Sequence, residues 1–588
     1  MSSSSLRKNQ PESIDPPNLN TLESQVETES PGRTSFKKRI AFAKRKVTTK
    51  DGWFGDYDYA WLCIPALPFS AKASRKQPPF YSLDADLPLA LAISSGLQHA
   101  LAMLAGLITP PIIFASSLNL DSTTSAYMIS ASLIGCGILS LVQISRTPLF
   151  YGYYLGTGLI SVVGTSFATL STASAIFDAM YQDGTCTSTV DSDGTAVRNA
   201  CPDAYGKVLG TSLICSFLEM FLAFIPPRVL KRIFPPLVTG TVVLLIGASL
   251  IGSSGVPNWG GGSNNCQTAP TGIYALCPTT LAPRPLPWGS PEFIGLGFLS
   301  FISIVLTEMF GSPFLKNISI IVGLAVGCIV AGATGYIDGS SISSAPPITF
   351  LWVHTFKIGV YPPAILPMLA VYVSLAMEAI GDITASAECS RVDLGQLTNP
   401  KSDGIGGFLS ALFTVTPLSI FAQLQNNGVI AMTRCANRSA GRWCCAFLIL
   451  FGVLGKISGV FLAIPNPVIG GVTTFLFASV VVSGIRVLAL MQFTRRDRFV
   501  LAAAMSFGIG DLLVPKIFTE LFNGVNNPNS GLQGLFNSIT IILSTPFLAA
   551  GIVAVIMNLV LPQEKDAEEE KESDVESSIG ERKEEVTS

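Results

Sequence analysis

The sequence predicts an all-α polytopic membrane protein with about fourteen transmembrane segments, and three observations predict this class. Only 13% of the 588 residues are charged, about half the proportion of roughly 25% found in soluble domains. The mean hydropathy is +0.50. Apolar stretches of about 20 residues, long enough to cross a bilayer core of about 30 Å, recur from residue 87 to residue 561. Lipid is therefore the main solvent of the folded chain.

The apolar stretches form two runs of seven. The first run comprises residues 87–109, 124–144, 150–172, 206–226, 233–253, 292–311 and 317–336. The second run comprises residues 361–382, 404–416, 418–433, 443–464, 467–490, 498–515 and 537–561. Three stretches, at 150–172, 404–416 and 418–433, are short or interrupted by Gly, Pro, Gln and Asn. Interrupted segments at corresponding positions of two halves indicate the binding site of a transporter, and the third and tenth segments correspond in this way.

The charges divide the chain into an N-terminal tail (1–84), a transmembrane domain (85–562) and an acidic C-terminal tail (563–588). Short loops on the side of the basic N-terminal tail carry many arginines, namely Arg146, Arg228, Arg232, Arg434, Arg438, Arg442, Arg495, Arg496 and Arg498. By the positive-inside rule this side is cytoplasmic. Because the number of predicted spans is even, we expect both termini there.

The cysteines and the missing motifs limit the function further. Four of the twelve cysteines fall in two long polar loops that this topology places outside: Cys186, Cys201, Cys266 and Cys277. In an oxidising space they predict one or two disulfides, with the pairing open. The sequence has no metal-binding Cys/His cluster, nucleotide-binding loop or catalytic constellation. We therefore expect no metal, cofactor, enzyme activity or nucleic-acid partner, and any concentrative work must draw on an ion gradient.

Residues 376–382 hold the densest group of ionisable side chains inside an apolar stretch. Glu378 and Asp382 are one helical turn apart and face the same way. Ionisable groups are costly in a bilayer and are functional candidates there. Two carboxylates on one face do not easily both ionise at low dielectric, so one is expected to hold a proton near neutral pH. A proton-coupled binding site needs such a group; alternatively, the two acids cap or hydrogen-bond neighbouring broken helices.

A second polar region places Gln423, Gln425, Asn426 and Asn427 beside the start of a half-helix. Backbone N–H groups and amide dipoles at such a start point into a cavity. An amide side chain offers both a donor and an acceptor, which match the alternating N–H and C=O edge of an oxopurine. A carboxylate on the opposite side would accept the ring N–H groups. Amides also join membrane helices to one another, but this density exceeds what helix packing alone requires.

The same region carries a family signature. The pattern Gln425-Asn426-x-Gly428-x-x-x-x-Thr433-Arg434 resembles the signature of the nucleobase–ascorbate transporter family without a mismatch. Further agreement, in the same order along the chain, is found at residues 56–62, 98–103, 164–167 and 376–382. The first of these stretches looks like the trafficking element of fungal members. The resemblance covers roughly residues 50–562 and is closest to the fungal uric acid–xanthine permeases.

The resemblance implies fourteen spans arranged as two inverted repeats of seven segments. A core domain would move against a gate domain, with the two short broken segments, the third and the tenth, at the substrate site. The implied activity is proton-coupled symport of uric acid and xanthine into the cell across the plasma membrane, usually by a homodimer. Lysines of the acidic tail, such as Lys565 and Lys571, are candidate ubiquitin acceptors for the endocytic machinery.

The resemblance also implies roles for individual residues. Glu378 and Gln425 would hold the purine, Phe167 would stack on its ring, and the backbone near Ser166 and Ala422 would complete the pocket. Proton coupling or support of the site is expected from His99, Asp382, Asp403, Asn426, Asn427, Gly428, Thr433 and Arg434.

Two departures from the family leave alternatives open. A two-residue insertion follows Gln423, and two residues turn a helix by about 200°. Either Gln423 or Gln425 can then occupy the binding position; we favour Gln425 because it keeps register with Asn426 and Gly428. The segment 391–403 is also shorter than in the family. The alternatives are a carrier of hypoxanthine, adenine or uracil on the same fold, a non-transporting sensor or inactive paralogue, and an anion channel or exchanger on a related fold.

Overall fold

The computed structural model describes residues 44–562, except for 66–77, 149–153, 191–195, 262–285 and 422–423, parts of 223–231, 393–417 and 515–529, and the single residues 287, 338, 490 and 492. The helices up to the middle of the chain are α1 Lys50–Phe54, α2 Tyr59–Cys63, α3 Leu89–Ser117, α4 Ser122–Ser145, α5 Phe167–Gln182, α6 Pro202–Leu222, α7 Pro236–Leu250, α8 Val256–Trp259, α9 Pro291–Phe310, α10 Pro313–Asn317 and α11 Ser319–Ala333. The later helices are α12 Ser340–Ser344, α13 Ile365–Ser390, α14 Leu424–Thr433, α15 Arg438–Val453, α16 Gly455–Leu462, α17 Asn466–Ala489, α18 Arg495–Leu513, α19 Ser530–Leu543 and α20 Pro546–Val560.

Short strands, one 3-10 turn at Pro362–Ala364 and one π-helical turn complete the described elements. The strands are β1 Thr147–Pro148, β2 Tyr154–Leu155, β3 Val162–Thr165, β4 Ser188–Val190, β5 Ala196–Arg198 and β6 Leu418–Phe421. They pair antiparallel as β1 with β2, β3 with β6, and β4 with β5. The π-helical turn Ile251–Gly255 joins α7 to α8.

The helical content confirms the predicted fold class. Among the described residues, seven helices are long and apolar enough to cross a membrane, and nine if each of two bent pairs counts as one span. The count of fourteen spans stays a prediction. The third segment is interrupted as predicted, because its helix begins only at Phe167 after two short strands. This helix runs on to Gln182 rather than ending near residue 172, because polar side chains such as Thr172 are buried against protein instead of lipid.

Two predicted spans are bent, which the sequence analysis did not anticipate. The stretch 537–561 was expected to form one span, but α19 and α20 meet at an angle of 91°. The stretch 443–464 contains α15 and α16, which meet at 77°. Hydropathy depends on the composition of a stretch and does not report the direction in which the chain runs. The only local signal at the first bend is Pro546, which favours the first position of a new helix and cannot continue an old one.

The helices pack in two groups. The first helix group contains α3, α4, α5, α6, α13, α14, α15 and α16. The second helix group contains α7, α9, α11, α17, α18 and α20. Within the second group α7 and α17 cross closely at Gly484. A Cβ added at this glycine would lie only 2.4 Å from the backbone nitrogen of Leu244. Small residues at such crossings allow close backbone contact between membrane helices.

At one end of the first group, an N-terminal segment (described for residues 50–65 and 78–87) covers the end of α14. The hydroxyl of Tyr57 donates to the carbonyl oxygen of Thr433 at 3.1 Å. The backbone nitrogen of Tyr81 donates to the carbonyl of Arg434 at 2.9 Å, and that of Ala436 donates back to Tyr81 at 2.9 Å. Burial raises the pKa of the Tyr57 hydroxyl, so it stays a neutral donor. Part of the predicted tail is thus attached to the membrane helices.

The opposite end carries a disulfide. Cys186 and Cys201 are bonded across 15 residues of sequence, between α5 and α6. The bonded loop contains the hairpin of β4 and β5. This confirms one of the predicted disulfides and resolves its pairing. Cys266 and Cys277 lie outside the described residues.

Removing this disulfide is expected to lower the thermal stability of the protein. Closing a loop of about 15 residues contributes about 3 kcal/mol by restricting the unfolded chain. Thermal unfolding of the purified protein would be compared with that of the double variant Cys186→Ser/Cys201→Ser, each with and without a reductant. The reductant should lower the Tm of the wild type to that of the variant. An equal effect of the reductant on both proteins would contradict the assignment.

Candidate functional site

Two short strands meet where the third and tenth segments are interrupted. β3 and β6 pair antiparallel, with Val162 opposite Phe421 and Thr165 opposite Leu418. The helix α5 follows β3 and the helix α14 follows β6, so the two helices leave the strand pair in opposite directions. Their N-terminal ends carry partial positive charge and N–H groups that the helix itself leaves unpaired. This local two-fold relation is what inverted repeats produce at their centre.

Ser166 connects the start of α5 to a carboxylate on α13. Its hydroxyl oxygen caps the helix by accepting from the backbone nitrogen of Ala168 at 3.2 Å. The same hydroxyl donates to Oε2 of Glu378 at 3.0 Å. Glu378 is half-buried, and a carboxylate is stabilised near the positive end of a helix. The structure thus brings together two predicted site residues that lie 212 positions apart in the sequence.

Phe167 is the first residue of α5 and is 2% exposed. Its ring packs edge to face on Phe477 of α17, with the ring centroids 5.4 Å apart. The contact crosses from the first helix group to the second. The predicted aromatic residue therefore lies next to the Ser166–Glu378 pair and at the boundary between the groups.

His99, Asn426 and the backbone of Ile160 form a second buried cluster. Nδ1 of His99 and Oδ1 of Asn426 are 2.6 Å apart. Nδ2 of Asn426 donates to the carbonyl oxygen of Ile160 at 2.7 Å. All three residues are 0% exposed. Because Asn426 uses both ends of its amide, it fixes α14 against α3 and against the chain that leads into β3.

Asn427 links α14 to α13. Its Oδ1 accepts from the hydroxyl of Ser386 at 3.0 Å. Ser386 follows Glu378 and Asp382 at successive intervals of four, so the three residues share one face of α13. The sequence analysis missed Ser386, although this spacing was a signal that could have found it. The face of α13 that carries both carboxylates thus contacts the two helices that start at the strand pair.

The remaining motif residues of α14 lie toward its end. Thr433 is buried and its hydroxyl donates to the carbonyl of Val429 at 2.7 Å. Arg434 follows the helix with φ = 56°. A Cβ added at Gly428 would meet no described atom within 4 Å, so no contact with a described residue requires glycine at this position. The backbone of Gln425 belongs to α14, but its side chain lies outside the described residues, as do Ala422, Gln423 and Asp403.

Arg438 joins the N-terminal segment to the chain before β3. Its Nε donates to the carbonyl oxygen of Gly158 at 2.8 Å. Its Nη1 contacts both carboxylate oxygens of Asp84 at 2.8 and 2.9 Å. Gly158 has φ = 75°, and it lies two residues before Ile160, which binds Asn426. Nothing in the local sequence indicated these contacts, because their partners are hundreds of residues apart.

Gly158→Ala is expected to destabilise the protein more than Gly184→Ala. Both glycines have positive φ, 75° and 78°, where a side chain costs about 1–2 kcal/mol. An added Cβ at Gly158 would also lie 2.8 Å from Nη2 of Arg438, whereas at Gly184 nothing lies within 4 Å. The Cβ added at Gly158 would also lie 3.2 Å from the Cβ and Cδ atoms of Arg146. Thermal unfolding of both variants would measure the difference, which reports the contacts with these two arginines. Equal losses of stability would show that these contacts are unimportant.

The apolar helices, with a half-buried carboxylate where two interrupted segments meet, are typical of a polytopic membrane carrier. A sequence model described as the permease family matches residues 91–517. The chain belongs to this family, and its resemblance to the nucleobase–ascorbate transporters is confirmed. Because the family consists of permeases, the chain is a transport protein and not an enzyme.

The relatives cover nearly the whole chain. A purine permease of Emericella nidulans is 48% identical over 557 residues, which are 93% of this chain and 94% of the relative. A uric acid-xanthine permease of the same organism is 47% identical over 550 residues, 92% of this chain and 93% of the relative. The xanthine permease XanQ of Escherichia coli is 30% identical over 82% of this chain and 93% of its own length. The transmembrane domain of the cyanobacterial bicarbonate transporter BicA shows a TM-score of 0.46 at 13% identity, covering 80% of this chain and 97% of that chain.

Proposed function

We propose that the protein is a proton-coupled symporter that imports uric acid and xanthine across the plasma membrane. The observation that carries this proposal is the contact between Ser166 and Glu378 at the start of α5, beside the β3–β6 pair. A carboxylate at this position accepts ring N–H groups, while the N-terminal N–H groups of the two helices donate to ring carbonyl oxygens. Both edges of an oxopurine thereby find partners. The names of the fungal relatives favour the same substrates.

Proton coupling is proposed to act through the carboxylates of α13. Glu378 and Asp382 lie one turn apart on the face that contacts α5 and α14. A nearby like charge disfavours ionisation, and hydrogen bonds from a ligand favour it. Purine occupancy and protonation are then linked at one site, and two like carboxylates titrate as a pair. The pair binds the purine with one carboxylate ionised and the other protonated. Release of that second proton on the inner side would leave two like charges at the site, weaken purine binding there and drive net import.

The orientation and assembly follow from the same proposal. The end with the N-terminal segment carries the loop arginines, among them Arg146, Arg434 and Arg438, and we place it in the cytoplasm. The end with the Cys186–Cys201 disulfide then faces the oxidising exterior. We propose a homodimer, which the family resemblance implies, and ubiquitin attachment at the C-terminal tail. Cross-linking of the membrane-embedded protein would test the dimer.

Uptake of radiolabelled xanthine by cells that lack their own purine carriers tests the function. The wild type would be compared with Gln423→Ala and Gln425→Ala, with and without a proton uncoupler, and surface delivery would be measured for each. Saturable, uncoupler-sensitive uptake that is lost in Gln425→Ala and kept in Gln423→Ala is expected. The reverse pattern would move the substrate contact to Gln423. A surface-delivered wild type that binds xanthine without accumulating it would instead be a sensor or an inactive paralogue.

A further inference from the structure

A side-chain hydrogen bond next to the candidate site joins the first helix group to the short helix that leads into the second. Asn317 ends α10, which lies against α14 and α3 of the first group and is one residue away from the start of α11 of the second group. Its Nδ2 donates to Oε1 of Gln98 on α3 of the first group at 2.8 Å. Gln98 immediately precedes His99, whose ring contacts Asn426 on α14. The bond therefore ends one residue from the buried cluster that fixes α14.

The side-chain amide of Gln98 is buried, so the loss of its hydrogen bond to Asn317 would be costly. The residue is 0% exposed. Its Nε2 contacts no hydrogen-bond partner among the described residues, so Asn317 provides the hydrogen bond described for this amide. Leaving a buried amide without partners is costly at low dielectric. A movement that separates Gln98 from Asn317 would leave this buried amide without a described partner and would therefore raise the free energy.

A second polar contact between the facing groups near the site is weaker. The hydroxyl oxygens of Ser171 on α5 and Ser249 on α7 are 3.4 Å apart, beyond the usual O–H···O distance of about 2.7–2.8 Å. Apolar contacts also cross this boundary, as between Ala105 of α3 and residues of α9, α11 and α17. Apolar surfaces slide past one another without losing directional bonds. The Gln98–Asn317 bond is directional, and it therefore favours one register of the two groups.

We propose that the Gln98–Asn317 hydrogen bond is a latch that holds the two helix groups in the arrangement seen here, with Asn317 as a positioning residue that acts through Gln98. The proposal rests on the transport function, because a carrier alternates between two arrangements of its helices. The latch must open in each cycle, and its strength sets how the protein is distributed between the arrangements. Its position beside His99 links that opening to the cluster that orients α14.

The test measures the arrangement itself and needs no substrate. Ser171→Cys/Ser249→Cys introduces a thiol pair that forms a cross-link only while α5 and α7 stay in register, and the cross-linked peptide is identified by mass spectrometry. Ser171→Cys alone reports the opposite arrangement through its rate of labelling by a maleimide. In both backgrounds, Asn317→Leu is expected to shift the ratio of labelling to cross-linking by about two- to tenfold toward labelling, as loss of one net hydrogen bond predicts.

A double variant and a matched control separate the latch from a general loss of stability. Gln98→Leu/Asn317→Leu removes both partners and leaves no unpaired amide, so its thermal stability should return toward that of the parent while the shifted ratio persists. Tyr372→Phe removes a buried hydroxyl contact with Ser212 at 2.9 Å inside the first group and should leave the ratio unchanged. An unchanged ratio in Asn317→Leu, or an equal shift in Tyr372→Phe, overturns the latch. If the wild type failed to take up xanthine while Asn317→Leu still shifted the ratio, only the proposed substrate would be refuted.

Discussion

Glu378→Gln is expected to abolish uncoupler-sensitive accumulation of xanthine. The substitution keeps the size of the side chain and an oxygen that accepts from Ser166, whose hydroxyl lies 3.0 Å from Oε2 of Glu378. It removes the charge and the group that binds and releases a proton. A hydrogen bond to a charged group contributes about 1.5–3 kcal/mol, so purine affinity should fall about 10- to 150-fold. Because the variant lacks this proton-binding group, any uptake that remains should equilibrate xanthine without concentrating it.

The matched control for this prediction lies on the same helix. Glu388 is exposed near the end of α13, and Glu388→Gln removes the same charge at a position remote from Ser166. Surface substitutions change stability by about 0.5 kcal/mol or less, so uptake by this variant should match the wild type. Initial rates and steady-state accumulation, normalised to protein at the cell surface, would be compared. Concentrative, uncoupler-sensitive uptake by Glu378→Gln would exclude this carboxylate from proton coupling.

Asn426→Leu is expected to lose both stability and substrate affinity. The substitution removes two buried contacts, with Nδ1 of His99 at 2.6 Å and with the carbonyl of Ile160 at 2.7 Å. Each unpaired buried polar group costs about 1–3 kcal/mol, so the free energy of unfolding should fall by about 2–6 kcal/mol. The start of α14 then loses its fixed position against α3 and the chain before β3. The KM for xanthine should therefore rise even in the fraction of protein that folds.

Asn558→Leu separates the two effects. Asn558 is 6% exposed on α20 of the second group, where its Nδ2 donates to the carbonyl of Arg232 at 3.1 Å and its Oδ1 accepts from Arg496 at 2.9 Å. This variant also loses two buried contacts, but far from the strand pair. It should unfold at a lower temperature and yet keep the KM of the wild type. If both variants kept the KM of the wild type, Asn426 would contribute to the stability of the protein and not to substrate affinity.

Much of the candidate site was predictable from local sequence. The interruption of the third and tenth segments, the carboxylates of residues 376–382 and the amides before Gly428 are all visible in single stretches of about ten residues. Their cost in a bilayer marks them as functional candidates wherever their partners lie. The side chains of the insertion near Gln425 lie outside the described residues, so the register of the substrate contact stays a prediction.

Other features were not predictable, and the bends show why. The stretches 443–464 and 537–561 have the composition of single spans, yet each contains a sharp turn of 77° or 91°. An apolar run shows that a segment avoids water, but the direction of the chain depends on which helices it packs against. Arg438 likewise looked like one of several cytoplasmic arginines. Its contacts with Asp84 and Gly158 exist only because the N-terminal segment folds back over α14.

The sequence by itself determined that the chain lies in a membrane, that the third and tenth segments are interrupted and which chemical groups the site contains, because these properties depend on composition and spacing within one segment. The tertiary structure alone decided which of those groups meet. Ser166 and Glu378 are 212 residues apart, and His99 and Asn426 are 327 residues apart. Contacts at such separations result from the packing of whole helices against one another, and no local pattern encodes that packing.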